Sequence, residues 1–137
     1  MVRPVRVPYL PAATLLWGLY ALVWTRLEAS LLRDGLLAGW GLALLALWLV
    51  ARALGGRELP VGRLVALGAA VGLAWGAALG PAVLLLMALK TGLHAHGPEY
   101  TAAQIAWVAA QWPWWVGAGG IAGTGLALLW LGWRRGH

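Results

Sequence analysis

Four glycines at intervals of four residues constrain this chain more than any other feature. Gly68, Gly72, Gly76 and Gly80 lie within an apolar run over residues 61–89. Each step of four advances a helix by about 40°, so the glycines form a shallow, winding groove about 18 Å long. In water each interior glycine costs roughly 1 kcal/mol relative to alanine, whereas in lipid a bare groove lets another helix approach closely. The stretch is therefore predicted to be the central packing helix of a membrane bundle.

The composition agrees with a single membrane domain over residues 1–137. Hydrophobic residues make up 62% of the chain and charged residues only 10%, far from the usual soluble balance. The absence of cysteine excludes disulfides, thiolate metal sites and a cysteine nucleophile. The net charge of +6 comes from arginines at the ends of apolar segments, which are typical topology signals, and no nucleic-acid partner is expected. Absent asparagine and scarce glutamine favour a GC-rich, thermophilic bacterium.

The predicted fold is an all-α integral membrane protein with four transmembrane helices and one short surface helix. The spans are placed at about 11–32, 36–53, 61–90 and 114–133. The first would measure about 33 Å, enough to cross a hydrocarbon core of roughly 30 Å. A tight turn at residues 33–35 follows it. In the third span, Pro81 is expected to cause a kink because its ring clashes with the carbonyl of Ala77.

The segment from Thr101 to Trp133 is too long for one simple crossing, and Pro113 divides it. Thr101 and Gln104 have capping-box spacing, so an amphipathic surface helix is predicted at about 101–112, ending in a tryptophan cluster. The alternative is one long, kinked and tilted helix. In the fourth span, Gly119 and Gly123 offer a second small-residue packing face.

The distribution of basic residues predicts the orientation in the membrane. The side that carries the N-terminus, the second loop and the C-terminus holds Arg3, Arg6, Arg52, Arg57, Arg63, Arg134 and Arg135, and the opposite side holds Arg26, Arg33 and Lys90. The excess places both termini in the cytoplasm of a bacterium, with the chain in its inner membrane. The basic start followed by an apolar run resembles a signal peptide, but no small-residue cleavage site follows, so the first span is expected to remain uncleaved.

The densest group of polar side chains lies in the loop at residues 90–100. His94, His96 and Glu99 offer three ligands to zinc or copper if the backbone is extended there. Lys90 and His94, one helical turn apart, offer instead a contact to an anionic lipid headgroup or a carboxylate. The interpretation favoured over both is a hydrated loop whose lysine extends to the lipid phosphates.

Three functions are compatible with these features. The preferred hypothesis is a non-enzymatic accessory or assembly subunit of a larger membrane complex, whose partners are the lipid bilayer and other membrane helices. It rests on many small-residue faces and on the lack of ionisable residues near the middle of the predicted spans. The second is a small homo-oligomeric transporter or channel. The third is a metal- or haem-handling protein using the His94–His96 loop, and the cofactor is left open.

Overall fold

Four α-helices form the described part of the chain, which in this computed structural model comprises residues 8–55, 57–93 and 98–135. They are α1 (Leu10–Trp24), α2 (Leu31–Leu54), α3 (Val61–Leu93) and α4 (Ala102–Arg135). Within these residues, α2, α3 and α4 are long and apolar enough to cross a membrane. The prediction of an all-helical fold is confirmed, with three apolar helices of membrane-spanning length.

The helices pack in chain order. α3 and α4 have the most extensive contact, α2 packs against α3, and α1 packs against α2. Leu79, Val83, Met87 and Val108 form the centre of the core together with Tyr100. The outer surface carries large apolar side chains such as those of α4, where Ile121 is 77% and Leu129 is 72% exposed. An apolar outer surface of this extent suits a lipid environment rather than water.

The first helix is shorter than predicted. It ends at Trp24 instead of continuing to residue 32, and its 15 residues span about 22 Å. The carbonyl of Trp24 accepts hydrogen bonds from the ammonium of Lys90 and from the N–H of Leu27. At the C-terminus of a helix this carbonyl would otherwise have no hydrogen-bond donor. Ser30, in an extended conformation with φ −157° and ψ 120°, then leads into α2.

The predicted turn at residues 33–35 is wrong, since these residues form part of the first two turns of α2. The second span is predicted at 36–53, and the observed helix begins five residues earlier, at Leu31. The reason is Asp34, whose side chain points into the protein and finds partners there. The charge and the glycine in this stretch are typical of a turn, but here the buried hydrogen bonds stabilise a helix.

The predicted surface helix at 101–112 is also wrong. α4 runs through Pro113 as one helix, which is the alternative the sequence left open. Thr101 and Gln104 do form the capping box, with reciprocal backbone-to-side-chain distances of 2.8 and 3.2 Å. The first half of α4 packs on α3 through Val108, which is 1% exposed, so it extends the bundle as part of one long helix.

Candidate functional site at one end of the bundle

Four side chains meet where α1 and α3 end and where α2 and α4 begin. Trp24 is the last residue of α1, Asp34 lies near the start of α2, Lys90 is in the last turn of α3 and Tyr100 precedes α4. All four are buried, and Asp34 and Lys90 have no exposed surface at all. We call these four residues the polar cluster. It connects every helix of the described chain at one end of the bundle.

Asp34 accepts two hydrogen bonds inside the polar cluster. The indole Nε1 of Trp24 donates to its Oδ1 at 2.8 Å, and the hydroxyl of Tyr100 donates to its Oδ2 at 2.5 Å. The carboxylate also lies near the N-terminus of α2, where the helix dipole favours negative charge. Both oxygens are thus occupied by donors from other helices or loops.

Lys90 binds the same tryptophan from another side. Its Nζ lies 2.5 Å from the Trp24 carbonyl oxygen and 4.5 Å from the centre of the Trp24 ring. The indole therefore donates to the acid through its N–H and attracts the lysine through its face. Because each charged group is bound to Trp24, a buried acid and a buried base are stabilised around one aromatic residue.

The Tyr100 hydroxyl is held in its protonated form. Burial raises the pKa of this hydroxyl above its ordinary value, and the hydrogen bond to Asp34 and the negative charge of Asp34 add to the effect. A protonated hydroxyl is the form that can donate to a carboxylate. At neutral pH, Tyr100 therefore acts as a hydrogen-bond donor and not as a base.

The predicted metal ligands are only partly within the described structure. His94 and His96 lie outside the described residues, and Glu99 is half-buried next to Tyr100. Among the residues that are described, no group of three histidine, cysteine or acidic side chains could hold a metal ion. The zinc or copper site stays a prediction.

Lys90 occupies a different environment from the one expected. The sequence predicts that Lys90 contacts lipid phosphates or, together with His94, an anionic ligand. In the structure its side chain is fully buried and donates to the carbonyl of Trp24. The predicted contact of His94 stays untested because that residue is not described.

The regularly spaced glycines of α3 face α4. An added Cβ on Gly72 would overlap the carbonyl of Gly119, and one on Gly68 would lie 2.6 Å from the carbonyl oxygen of Gly123. An added Cβ on Gly76 would overlap the carbonyl of Trp115 in the same way. We call these contacts the glycine interface. They bring two backbones together without intervening side chains, which is how small residues favour helix association in lipid.

Pro81 lies inside α3, and a residue of α4 compensates for the hydrogen bond that this proline removes. Proline has no N–H, so the carbonyl of Ala77, four residues earlier, loses its helical partner. The indole Nε1 of Trp112 donates to that carbonyl at 2.8 Å. The same ring lies against Gly80, where an added Cβ would be 3.2 Å from it. Gly80, the fourth of these glycines, thus leaves space for the Trp112 side chain, whose N–H donates in place of the hydrogen bond that Pro81 cannot make.

Asp34 and Tyr100 were not recognised as site residues from the sequence. The sequence predicts Asp34 to lie in a turn and assigns no role to Tyr100. The signal that could have found them is Lys90, because it is the only lysine in a chain whose other basic residues are all arginine. A lone lysine at the end of a packed helix suggests a specific partner, and a search for acids at the same end of the bundle leads to Asp34.

The fold and the polar cluster define an all-helical protein with three apolar helices of membrane-spanning length and an acid–lysine cluster buried at one end. Comparison with protein-family models, curated proteins and solved structures finds no match.

Proposed function

We propose that the chain is a non-enzymatic subunit of a larger complex in the bacterial inner membrane, where it contributes packing surfaces to other membrane helices. The observation that carries the proposal is the use of the buried polar groups. Among the described residues, every buried side-chain nitrogen and oxygen has a hydrogen-bond partner. These buried groups are bonded within the bundle and hold its helices together, as expected of a packing subunit.

An apolar groove between α2, α3 and α4 provides a surface for a partner helix. Its volume is about 380 Å³, and small residues line it, among them Ala43, Ala46 and Ala122. Small residues let helix backbones approach closely in lipid, where packing rather than water exclusion drives association. The groove would accept an apolar helix of another subunit.

Copurification tests this function. The tagged chain would be expressed in its native membrane, extracted in mild detergent and analysed for stoichiometric partners. Ala46→Trp fills the groove, whereas Leu49→Trp introduces the same side chain at a half-exposed position of the same helix. The partner should be retained by wild type and by Leu49→Trp and lost from Ala46→Trp. A lone, monodisperse wild-type protein would count decisively against the proposal.

We also propose four crossings with both termini in the cytoplasm. α1 lies antiparallel to α2, because Trp17 donates to the carbonyl of Leu37 while Trp24 binds Asp34. The start of α1 is thereby directed to the same side as the connection from α2 to α3. The shortness of α1 requires local thinning of the bilayer or a contribution from the residues before it.

The absence of cysteine makes this topology simple to test. Single cysteines at Tyr9, Glu58 and Pro98 would be labelled with a membrane-impermeant maleimide in sealed right-side-out vesicles. Only Pro98→Cys should react from outside, and all three should react once the vesicles are opened. External labelling of Tyr9→Cys together with Pro98→Cys would show that α1 does not cross.

A small homo-oligomeric transporter or channel is the second candidate, favoured by the buried Asp34 and Lys90. Ionisable residues within apolar helices are costly and often belong to ion pathways. This function predicts flux in proteoliposomes that Asp34→Asn abolishes and that Glu28→Gln, at an exposed acid, leaves unchanged. No flux over a broad panel of ions and small solutes would exclude it in favour of the subunit.

A further inference from the structure

A second apolar groove runs between α1, α2 and α3 on the other face of α2. Its volume is about 490 Å³, and its walls include Trp17, Leu45 and Trp48 as well as Leu85 of α3. The lining extends along α2 from Leu37 to Trp48, a distance of about 17 Å at the helical rise. This is close to the thickness of one leaflet of the hydrocarbon core, roughly 15 Å.

The wall of this groove is almost entirely apolar. Two of its polar side-chain groups already donate to a backbone carbonyl: Thr14 to Leu10 and Trp17 to Leu37, both at 2.9 Å. A polar molecule would therefore lose most of its hydrogen bonds to water on entering without replacing them. The groove suits a hydrocarbon chain.

The end of the groove carries a cation. Arg52, one helical turn beyond Trp48 and in the last turn of α2, places its guanidinium carbon 5.5 Å from the centre of the Trp48 ring. Tryptophan and arginine at the end of an apolar helix are typical of the membrane–water interface. The guanidinium group has the planar, forked geometry that binds phosphate oxygens with two parallel hydrogen bonds.

We propose that this groove and Arg52 form a binding site for one anionic phospholipid. An acyl chain lies along the wall from Trp48 towards Leu37, and the headgroup phosphate binds Arg52. The face of the Trp48 ring orients the guanidinium group of Arg52. The N–H groups at the edge of the guanidinium are then directed to the phosphate. The occupant is a lipid and not a second helix because the site combines a cation at its mouth with a length that matches a single leaflet.

Native mass spectrometry of the full chain tests this site. The protein would be delipidated in detergent and titrated with phosphatidylglycerol or with phosphatidylcholine of identical acyl chains. Wild type should retain one phosphatidylglycerol at concentrations at which phosphatidylcholine is lost. Arg52→Gln should weaken phosphatidylglycerol binding about fivefold, the effect of one basic residue at a membrane surface, and leave phosphatidylcholine binding unchanged.

Two further variants separate the site from general surface charge. Arg63→Gln removes an exposed charge at the same end of the bundle, on α3 outside the groove, and should bind like wild type. Leu45→Trp, at a half-exposed position of the wall, should reduce the binding of both lipids because it fills the groove. Equal losses in Arg52→Gln and Arg63→Gln, or equal retention of the two lipids by wild type, would overturn the proposal. So would a groove that excludes lipid because a second copy of the chain occupies it. The outcome is independent of the copurification experiment, which concerns the groove on the opposite face of α2.

Discussion

The indole nitrogen of Trp112 lies 2.8 Å from the carbonyl oxygen of Ala77, the carbonyl that Pro81 leaves without a helical partner. In the bilayer an unpaired carbonyl costs several kcal/mol, so the proline on α3 and the tryptophan on α4 depend on each other. The contact also explains why α4 follows α3 closely at this level instead of turning away along the membrane surface.

Trp112→Phe should lower the free energy of unfolding by about 1–3 kcal/mol, because an aromatic ring is kept but the Ala77 carbonyl is left without a donor. The decisive measurement is a double-mutant cycle with Pro81→Ala, followed by thermal or denaturant unfolding in detergent. Alanine restores an N–H to Ala77, so Trp112→Phe should be nearly neutral in that background. Trp114→Phe, at a side chain that is 75% exposed, provides the control. The same loss in both backgrounds would contradict the proposed compensation.

Gly72→Ala should destabilise the protein by about 1–3 kcal/mol, the usual cost of overpacking, because the new methyl group would overlap the carbonyl of Gly119. Gly125→Ala on α4 is the matched control, since a Cβ there meets nothing within 4 Å and alanine favours the helix. Gly72→Leu and Gly76→Leu should be more damaging than Leu73→Ala. Equal melting temperatures of Gly72→Ala and Gly125→Ala would show that the two backbones are not in contact.

Asp34→Asn should cost about 1.5–3 kcal/mol, because it removes the negative charge from the buried acceptor of the Trp24 and Tyr100 hydrogen bonds. The double variant Asp34→Asn/Lys90→Met should lose less than the sum of the single losses, since both side chains bind Trp24. Unfolding of the single and double variants measures this coupling, with Glu28→Gln as the exposed control. Strictly additive losses would mean that the acid and the lysine act independently.

Tyr100→Phe removes the donor to Asp34 and should lower the free energy of unfolding by about 1.5–3 kcal/mol, the range for hydrogen bonds to charged groups. Tyr9→Phe, at a tyrosine that is 78% exposed, should have no effect. The comparison is made at neutral pH in the same detergent. Equal stability of the two variants would contradict the hydrogen bond.

The stability of wild type should fall at alkaline pH through Tyr100. Because the folded pKa of this hydroxyl is raised, the unfolded chain loses the proton first, at about pH 10, while the folded protein retains it. The stabilisation is therefore complete below about pH 10 and decreases as the pH rises above it. The difference in unfolding free energy between wild type and Tyr100→Phe should shrink between pH 9 and pH 11. A constant difference over that range would argue against this linkage.

The apolar periodicity predicts both ends of α3 to within three residues and the end of α2 to within one, but it misses the starts of α2 and α4. α3 begins at Val61 as predicted, because the proline directly before it is a clear breaking signal. The errors fall where tertiary contacts decide local structure. α1 ends at Trp24 because a lysine 66 residues later binds its carbonyl, and no local pattern encodes that contact.

The polar cluster could not be predicted for the same reason. Asp34 next to a glycine and an arginine has the composition of a turn, and only the approach of Trp24 and Tyr100 makes its burial favourable. Pro113 is a comparable case. Proline is a helix breaker in isolation, yet α4 continues through it because the preceding turns are already packed on α3.

The polar cluster also constrains the order in which the protein can be made. Asp34 leaves the ribosome 66 residues before Tyr100, an interval of roughly 3–13 s at bacterial and eukaryotic rates of synthesis. During that time the carboxylate has the Trp24 indole but not the Tyr100 hydroxyl as a hydrogen-bond donor. This end of the bundle therefore becomes complete only after the start of α4 has been synthesised, late in the production of the chain.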